Sequence, residues 1–394
     1  MHDEHAQTKG SLGGYLVVDL SRGLAGPHAA MMLGDMGADV IKVEPPAGDE
    51  SRVWGPPFVG PEEGPIATYF LCANRNKRSI VLDLKAEAGR ETLRSLLARA
   101  DVLIENFRPG VLERLGFSAE VLKEVNPGLV VLSITGFGHD GPQRDRPGYD
   151  QIAQGEGGLM SLTGPSADEP TKVGVPIADV LAGLYGAFGV AAALADRERT
   201  GQGAVVRTSL LAAAIGAHAF QGTRWTVGRD VAKPQGNHHS AIAPYGSFRC
   251  SDGLLQVAVG THKQWLRFAG TLGLDPDDPR FDTNTKRVHG HEALVEVVEA
   301  ALSDRTRDEW LGLLEEAQVP AGAIRTLDEV YSSEQVASQG LVIHVDHPVL
   351  GPIDLPGPPV RGERVDGEPV TRIQHASPPL LDEHADQIRA WLDE

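Results

Sequence analysis

The first 140 residues alternate short apolar runs with stretches in which apolar residues recur at helical spacing. Val/Ile/Leu-rich runs predict strands, and the amphipathic stretches between them predict helices. Nearly continuous apolar strands are typical of a parallel sheet covered on both faces, so the pattern predicts a doubly wound α/β domain with ligand sites at the carboxyl ends of its strands. The predicted strands are 15–20, 39–44, 79–84, 102–107 and 129–135, and the predicted helices are 25–36, 88–99 and 119–125.

The rest of the chain predicts more helices and a second domain. Two stretches rich in Ala, Leu and Gly, 180–197 and 209–225, predict buried helices against the sheet. The chain has 394 residues, and one core rarely serves more than about 250–300, so we expect a second domain beyond the polar segment 228–245. Its predicted elements are strands at 245–249 and 254–259 and helices at 262–272, 292–302 and 307–317, followed by extended structure at 342–360.

Net charge and cysteine content restrict the possible ligands and the cellular compartment. A formal net charge of −18 disfavours nucleic acid and anionic membranes, so an anionic ligand needs a local basic pocket. Cys72 and Cys250 are far apart in sequence, which argues against a disulfide framework and indicates a reducing compartment. The first 14 residues lack the apolar stretch of a signal peptide, and the apolar run at 180–194 is interrupted by glycines. We expect a cytoplasmic protein.

Basic residues gather at the ends of two predicted strands. One group is the segment 74–78 (NRNKR) with Lys85, and the other is Arg108 and Arg114 near the segment 106–110 (NFRPG). Phosphate groups require such donors, and the ends of parallel strands are where they would be bound. Surface ion pairs fit the same pattern, and spacing alone leaves both interpretations open.

Two sequence patterns that could indicate a nucleotide site or a metal site are weakly supported here. Residues 136–141 match GxGxxG, the dinucleotide-binding pattern, but Pro142 and a polar run follow where a helix should begin. We predict a glycine-rich turn there. The fourteen histidines form no helical i, i+4 pair and have no adjacent set of Cys or carboxylate ligands, so no metal site is assigned.

Asp179 stands in VPIAD, immediately before a long apolar helix. Asp is among the best residues for capping a helix N-terminus. A carboxylate at this place can also be a nucleophile that the helix dipole keeps ionised. Both roles use the same oxygens, so composition leaves the choice open.

Taken in order, segments along nearly the whole chain resemble the family III CoA-transferases, the CaiB/BaiF family. Each segment is weakly specific alone, and their order together is highly specific. They are 19–27 (DLSRGLAGP), 37–44 (GADVIKVE), 74–79 (NRNKRS), 105–110 (ENFRPG), 136–142, 148–150 (GYD), 172–179 (KVGVPIAD), 236–239 (GNHH), 278–282 (DPRFD) and 319–322 (VPAG).

The resemblance implies a fold and an assembly. It indicates a large Rossmann-like CoA-binding domain over 1–227, a small α/β domain over 228–340, and a segment over 341–394 that returns to the large domain. Two such chains would form an interlocked homodimer. The implied enzyme moves CoA from an acyl-CoA to a small carboxylic acid; the CoA thioester is a substrate, and no cofactor is permanently bound.

The resemblance also implies site residues. Asp179 falls on the family's nucleophile, which forms an aspartyl anhydride and then an aspartyl-CoA thioester. The loop 236–241 is our candidate for covering the site and excluding water, and its residues Gly236, Asn237, His238 and His239 are the candidate substrate contacts. Contacts to CoA carry over onto Ala25, Leu82, Lys85, Asn106, Phe107, Arg114 and Tyr149.

Departures from relatives bear on the substrate. Racemases of the same fold use a histidine where this chain has Tyr149, which favours a transferase over an α-methylacyl-CoA racemase. Formyl-CoA:oxalate transferases carry Gln where Leu24 stands; segment 236–241 is closer to branches acting on succinyl-CoA and dicarboxylates, although those usually have Pro at Ser240. We expect succinyl-CoA as donor and a dicarboxylate as acceptor, with the carnitine and aromatic-acid branches open. Candidates to bind the second carboxylate are Arg22, His238 and His239.

Overall fold

The structure, a computed structural model, describes residues 10–394. These residues form two compact units. The first comprises the described residues up to Leu159 together with Val173–Arg229 and Glu334–Glu394, and the second comprises Met160–Lys172 and Asp230–Ser333. The predicted domain boundaries at 227/228 and 340/341 stay predictions about which parts fold independently.

The first unit is built on a six-stranded parallel sheet with the order β5-β2-β1-β6-β7-β8. The order reverses direction between β1 and β6, the kind of switch point at whose carboxyl edge ligands bind in such sheets. Two short antiparallel pairs, β3 with β4 and β12 with β13, complete its strands. The strands are β1 Leu16–Asp19, β2 Asp39–Glu44, β3 Phe58–Val59, β4 Ile66–Ala67, β5 Lys77–Val81, β6 Val102–Glu105, β7 Val130–Thr135, β8 Val205–Ser209, β12 Val342–His347 and β13 Gly351–Pro356.

Alternate residues of each central strand enter two different apolar cores. In β1, Val17 packs on one face and Leu16 and Val18 pack on the other. Both faces are covered by helices, which is why the strands read as continuous apolar runs. The helices with residues in this unit are α1 Ala25–Asp35, α2 Thr68–Leu71, α3 Glu87–Arg99, α4 Val111–Arg114, α5 Ala119–Val125, α6 Asp150–Glu156, α7 Leu159–Leu162, α8 Ile177–Thr200, α9 Leu210–Gly216, α10 Ala219–Thr226, α16 Glu334–Ser338 and α17 Ala385–Asp393.

Helix α8 is the central helix of one face. It packs against α1, β7 and β8, and its small residues Ala182, Gly183 and Gly186 are buried. In residues 10–394 it is the one helix long and apolar enough to cross a bilayer by length and composition, and 44% of its most apolar window is buried here.

The second unit is smaller and has its own core. A three-stranded antiparallel sheet has the order β11-β10-β9, and helices pack over it around Phe248, Trp265 and Phe268. Its elements are β9 Tyr245–Cys250, β10 Gly253–Ala258, β11 Ala321–Ala323, α11 His262–Leu272, α12 Asn284–His289, α13 His291–Leu302, α14 Arg307–Glu316 and α15 Leu327–Tyr331.

The element predictions hold for five of the six strands of the parallel sheet, β1, β2, β5, β6 and β7. The strand β8 was not predicted. The stretch 209–225, predicted as one buried helix, is two helices, and the second has no buried residue. Its Phe220 and Trp225 are half exposed, and Ala219, where it begins, has a positive φ of 47° that interrupts the helix. The predicted glycine-rich turn after β7 is confirmed, because Gly138 and Gly141 have positive φ and no helix begins before Asp150.

Candidate active site

A buried ion network fixes the turn between β1 and α1. The Lys77 Nζ atom lies 2.9 Å from Asp19 Oδ2, and Lys42 Nζ lies 2.8 Å from Asp49 Oδ2, with all four side chains fully buried. Lys42 also donates to the carbonyl of Ser21 at 3.0 Å. Removal of either partner would leave an uncompensated buried charge, so breaking this network at the carboxyl edge of the sheet would be strongly unfavourable.

The structure also gives the partners of the cations in the basic segment 74–78. Arg75 pairs with Asp35 at 2.5 Å, and Arg78 forms an ion pair with Asp39. With Lys77, these cations are neutralised by carboxylates of the first unit. The phosphate-binding interpretation is therefore wrong for this segment, and so is a solvated surface pair in the case of Lys77.

Asp179 is the third residue of α8, and it is not the helix cap. The N-cap position is Pro176, which supplies no side-chain hydrogen bond. The cap comes from another element, since Asp150 Oδ1 accepts hydrogen bonds from Ala178 N at 2.8 Å and Asp179 N at 3.4 Å. In the part of the chain that the structure describes, no side chain or amide donates to the Asp179 carboxyl. The capping interpretation of Asp179 is wrong, and its oxygens are left for chemistry.

Burial and, to a smaller extent, the nearby Asp150 carboxylate together raise the pKa of Asp179 from 3.8 to about 7. The expectation that the helix dipole keeps this carboxylate ionised is thus incomplete, because it leaves out desolvation, which favours the neutral form. Tyr69 shares this environment: burial and then the Asp179 charge raise its pKa to about 12. Its phenol stays protonated at neutral pH and is a hydrogen-bond donor.

Two predicted CoA contacts, Tyr149 and Ala25, stand at the starts of helices that pack against α8. Tyr149 is the N-cap residue of α6, directly before Asp150, and its side chain is 63% exposed. Ala25 begins α1, and a Cβ atom added to Gly183, one turn after Asp179, would lie 2.7 Å from the Ala25 carbonyl oxygen. The starts of α1 and α6 therefore both lie against the first two turns of α8.

A cavity of about 620 Å³ lies at the carboxyl ends of β6, β7 and β8. Phe107 and Arg114, both predicted CoA contacts, line it together with Arg108 and Arg207. Arg108, Arg114 and Arg207 have no carboxylate partner in residues 10–394. Carboxylates also line the cavity, at Glu105, Glu113, Asp140 and Asp145, so its capacity to bind an anion rests on the three guanidinium groups that form no ion pair with the described residues.

The predicted CoA contacts Asn106, Leu82 and Lys85 do not line this cavity. The Asn106 side chain donates to the Arg22 carbonyl at 2.8 Å and accepts from the Arg22 amide at 2.9 Å, so both ends of its amide hold the first turn. Leu82 is buried in the core, and its amide donates to the Glu44 carbonyl. Lys85, three residues later, has an exposed side chain.

The loop at 236–239 belongs to the second unit. Gly236 has a φ of 57°, and its amide donates to the Gly164 carbonyl at 3.0 Å. The His238 ring packs edge-on against His291 at a centroid distance of 4.3 Å, and its Nδ1 is buried without a hydrogen-bond partner in the described residues. The His239 amide donates to the Tyr245 carbonyl. In residues 10–394, no group of three or more His, Cys, Asp or Glu side chains is arranged for a metal ion.

Within residues 10–394, the site combines a carboxyl without a hydrogen-bond donor at a helix start with a cavity that carries unpaired arginines at the edge of a parallel sheet. This arrangement suits an enzyme that performs covalent chemistry on an anionic substrate. The model of CoA-transferase family III matches residues 12–385, so this chain belongs to that family and the predicted resemblance is confirmed. It is 39% identical over 390 residues to the succinate–glutarate CoA-transferase of Agrobacterium fabrum, covering 98% of this chain and 96% of that one. It is 37% identical over 380 residues to human succinyl-CoA:glutarate CoA-transferase, covering 96% of this chain and 85% of that one. The crystal structure of a CaiB/BaiF family protein from Brucella suis matches with a TM-score of 0.85 and 41% identity, covering 98% and 100% of the two chains.

Sequence reasoning did not assign roles to four residues of these surroundings. Asp150 stands in the quoted GYD segment, but nothing in a linear sequence indicates that its carboxylate caps a helix 28 residues later. Tyr69 and Arg207 lie in elements without a recognised motif. His139 was set aside as part of the glycine turn, and the structure places it in the cavity wall.

Proposed function

We propose that this protein transfers CoA from succinyl-CoA to a dicarboxylic acid through covalent intermediates on Asp179. The observation that carries the proposal is the Asp179 carboxyl, which lies at a helix start with no hydrogen-bond donor among the described residues while Asp150 performs the capping. Family membership supports the reaction class. The activities for which relatives at 37% and 39% identity are named support succinyl-CoA as the donor and a dicarboxylic acid as the acceptor.

In the first half-reaction, an Asp179 oxygen attacks the thioester carbonyl of the donor. The carbon–sulfur bond breaks, CoA leaves as a thiolate, and a mixed anhydride joins Asp179 to the donor acyl group. The thiolate then attacks the Asp179 carbonyl carbon, the donor leaves as its carboxylate, and an aspartyl-CoA thioester remains. Covalent catalysis divides one difficult exchange into activated steps.

In the second half-reaction, the acceptor carboxylate attacks the aspartyl thioester and expels CoA thiolate. The thiolate then attacks the acceptor carbonyl of the new anhydride, giving the product thioester and free Asp179 carboxylate. An anhydride hydrolyses if water reaches it, so the site must exclude water at this stage. We assign this covering role to the loop 236–241, with Arg22, His238 and His239 as candidates for the second carboxylate of the acceptor.

The CoA part of the thioester is proposed to contact Ala25, Leu82, Lys85, Asn106, Phe107, Arg114 and Tyr149. Support comes from the cavity at the sheet edge, where Phe107 offers an aromatic face and Arg114 an unpaired cation. The Asn106 side chain and the Leu82 amide donate hydrogen bonds to the backbone carbonyls of Arg22 and Glu44, which fixes the backbone at this edge of the sheet.

We also propose the two-lobed architecture and an interlocked homodimer. Exposed apolar side chains on the first unit support an association between copies, because such side chains in number mark interaction surfaces. On α8 these include Phe188, which is 74% exposed, and Tyr185, and on α10 they include Phe220 and Trp225. The cytoplasmic location stays a prediction.

The proposed function is tested by mixing the purified protein with succinyl-CoA and, separately, glutarate, mesaconate, itaconate, oxalate and carnitine, and measuring acyl-CoA products by mass spectrometry. The expected result is a new dicarboxyl-CoA that forms with wild type and not with Asp179→Ala. If no pair yields a new thioester, the transferase assignment is wrong, and exchange of the α-proton of a 2-methylacyl-CoA tests the racemase alternative. That alternative has no favouring observation here, because Tyr149 stands where the imidazole is needed.

A further inference from the structure

Three side chains form a hydrogen-bonded chain in the wall of the arginine-lined cavity. The Ser133 hydroxyl donates to Glu105 Oε1, and the Ser133 Oγ atom lies 2.8 Å from His139 Nε2. Glu105 and Ser133 are buried at the ends of neighbouring strands β6 and β7, and His139 follows in the turn after β7. All three line the cavity.

The chain fixes which histidine nitrogen faces a ligand. The Ser133 hydrogen is used toward Glu105, whose second oxygen accepts from the Phe107 amide at 2.9 Å. Ser133 can therefore only accept from His139, and this requires a proton on Nε2. The remaining ring nitrogen, Nδ1, has no partner among residues 10–394 and is the atom left for a ligand in the cavity.

The charges of the cavity indicate what that ligand group is. Arg108, Arg114 and Arg207 line the cavity without carboxylate partners in the described part of the chain. Burial and the Arg207 charge lower the pKa of His139, so it is neutral when the cavity is empty. An anion bound among the arginines reverses this balance, because a nearby negative charge favours the protonated imidazole. The Asp140 carboxylate, which also lines the cavity, favours the same protonated form.

We propose that His139, oriented by Ser133 and Glu105, binds a phosphate group of the CoA thioester through Nδ1 and helps to determine affinity for that end of the substrate. This inference rests on the proposed function, since it names a recognition residue for the same substrate. Ser133 and Glu105 are positioning residues that set the ring tautomer. Phosphate can come from the 3′-phosphate of the ribose or from the diphosphate, and the two are separable by experiment.

The test measures transfer kinetics and direct binding with the full chain. His139→Ala should raise the KM for succinyl-CoA about tenfold, as expected for one hydrogen bond to a charged group, and leave kcat within about twofold. Ser133→Ala, which leaves the imidazole but removes its support, should raise the KM by a smaller factor, about threefold. The matched control is His262→Ala, an exposed histidine of the second unit, which should leave both constants unchanged.

The source of the phosphate is separated with succinyl-dephospho-CoA. If His139 binds the 3′-phosphate, wild type and His139→Ala have equal KM values for this analogue; if it binds the diphosphate, the tenfold difference persists. Unchanged KM for both thioesters in His139→Ala would overturn the inference. His139→Gln keeps a hydrogen-bond donor toward Ser133 but cannot become positively charged. It should show the same rise in KM as His139→Ala while its thermal unfolding midpoint stays that of wild type.

Calorimetric titration of free CoA keeps this inference apart from the proposed function, because binding requires no transfer. If CoA binds wild type about tenfold more tightly than His139→Ala, the inference stands whatever acceptor the enzyme uses. Equal binding to both proteins refutes the role of His139 and leaves the transferase assignment intact. Failure of CoA to bind wild type refutes the proposed function itself.

Discussion

Removal of the Asp150 charge should move the pH dependence of catalysis. Burial and Asp150 together raise the pKa of Asp179 from 3.8 to about 7. Only the ionised carboxylate is a nucleophile, so kcat/KM for succinyl-CoA should rise with pH through about 7. Asp150→Asn removes the like charge and keeps an oxygen for the Ala178 amide, since Asn also caps helices well. A neighbouring like charge shifts a carboxyl pKa by about one unit or more, so the acid limb should move at least about one unit lower.

The assay is kcat/KM for succinyl-CoA with glutarate between pH 5 and pH 9 for wild type, Asp150→Asn and a control. The control is Asp386→Asn, which neutralises an exposed carboxylate in the first turn of α17 and should leave the profile unchanged. Desolvation, the larger cause of the raised pKa, remains in the variant, so the limb should stay above the usual carboxyl range. An acid limb that coincides in wild type and Asp150→Asn, with both proteins folded, would refute this explanation of the Asp179 pKa.

Three further predictions concern stability and binding. The raised pKa of Asp179 means that the native state binds the Asp179 proton more tightly than the unfolded state does, so wild type loses stability as pH rises from about 4 to about 7. Asp179→Asn cannot ionise and should therefore be more stable than wild type by about 2 to 4 kcal/mol at pH 8 and equally stable at pH 4. Urea unfolding at the two pH values measures the difference. Lys77→Met should lower the free energy of unfolding by about 3 kcal/mol because it removes the nearer cation of the buried Asp19 carboxylate and leaves only Lys42, at 4.0 Å. A loss below 1 kcal/mol would contradict the buried network. Arg114→Ala and Lys85→Ala should raise the KM for succinyl-CoA with little change in kcat, and unchanged KM in both would remove these residues from the CoA site.

Much of the first unit is predictable from the sequence because a parallel sheet buried on both faces leaves a simple pattern. The apolar runs of β1, β2, β6 and β7 coincide with the predicted strands within two residues at either end. The strand β8 was missed because its pattern is not apolar: it reads VVRTS, and Arg207 in its centre faces the cavity instead of a core. An edge strand with one functional face gives no continuous apolar run.

The site was predictable only in part, for a different reason. Asp179 was identified, but its two interpretations could not be separated without knowing which group caps α8. The answer depends on Asp150, which reaches the helix start through the fold and not through proximity in sequence. Likewise, the segment 74–78 could not be recognised as buried, because a run of cations in an acidic chain resembles a binding patch until its partners Asp19, Asp35 and Asp39 are placed beside it.

The most direct test of the central claim is mass spectrometry of the Asp179 peptide after brief incubation with succinyl-CoA and no acceptor. We expect a peptide whose mass increases by that of CoA less one water, with the added mass on Asp179, and which returns to its original mass when glutarate is added. Asp179→Asn, which retains the shape of the side chain, should carry no adduct. Turnover that proceeds at the wild-type rate with an unmodified Asp179, or an adduct on another residue, would contradict the account.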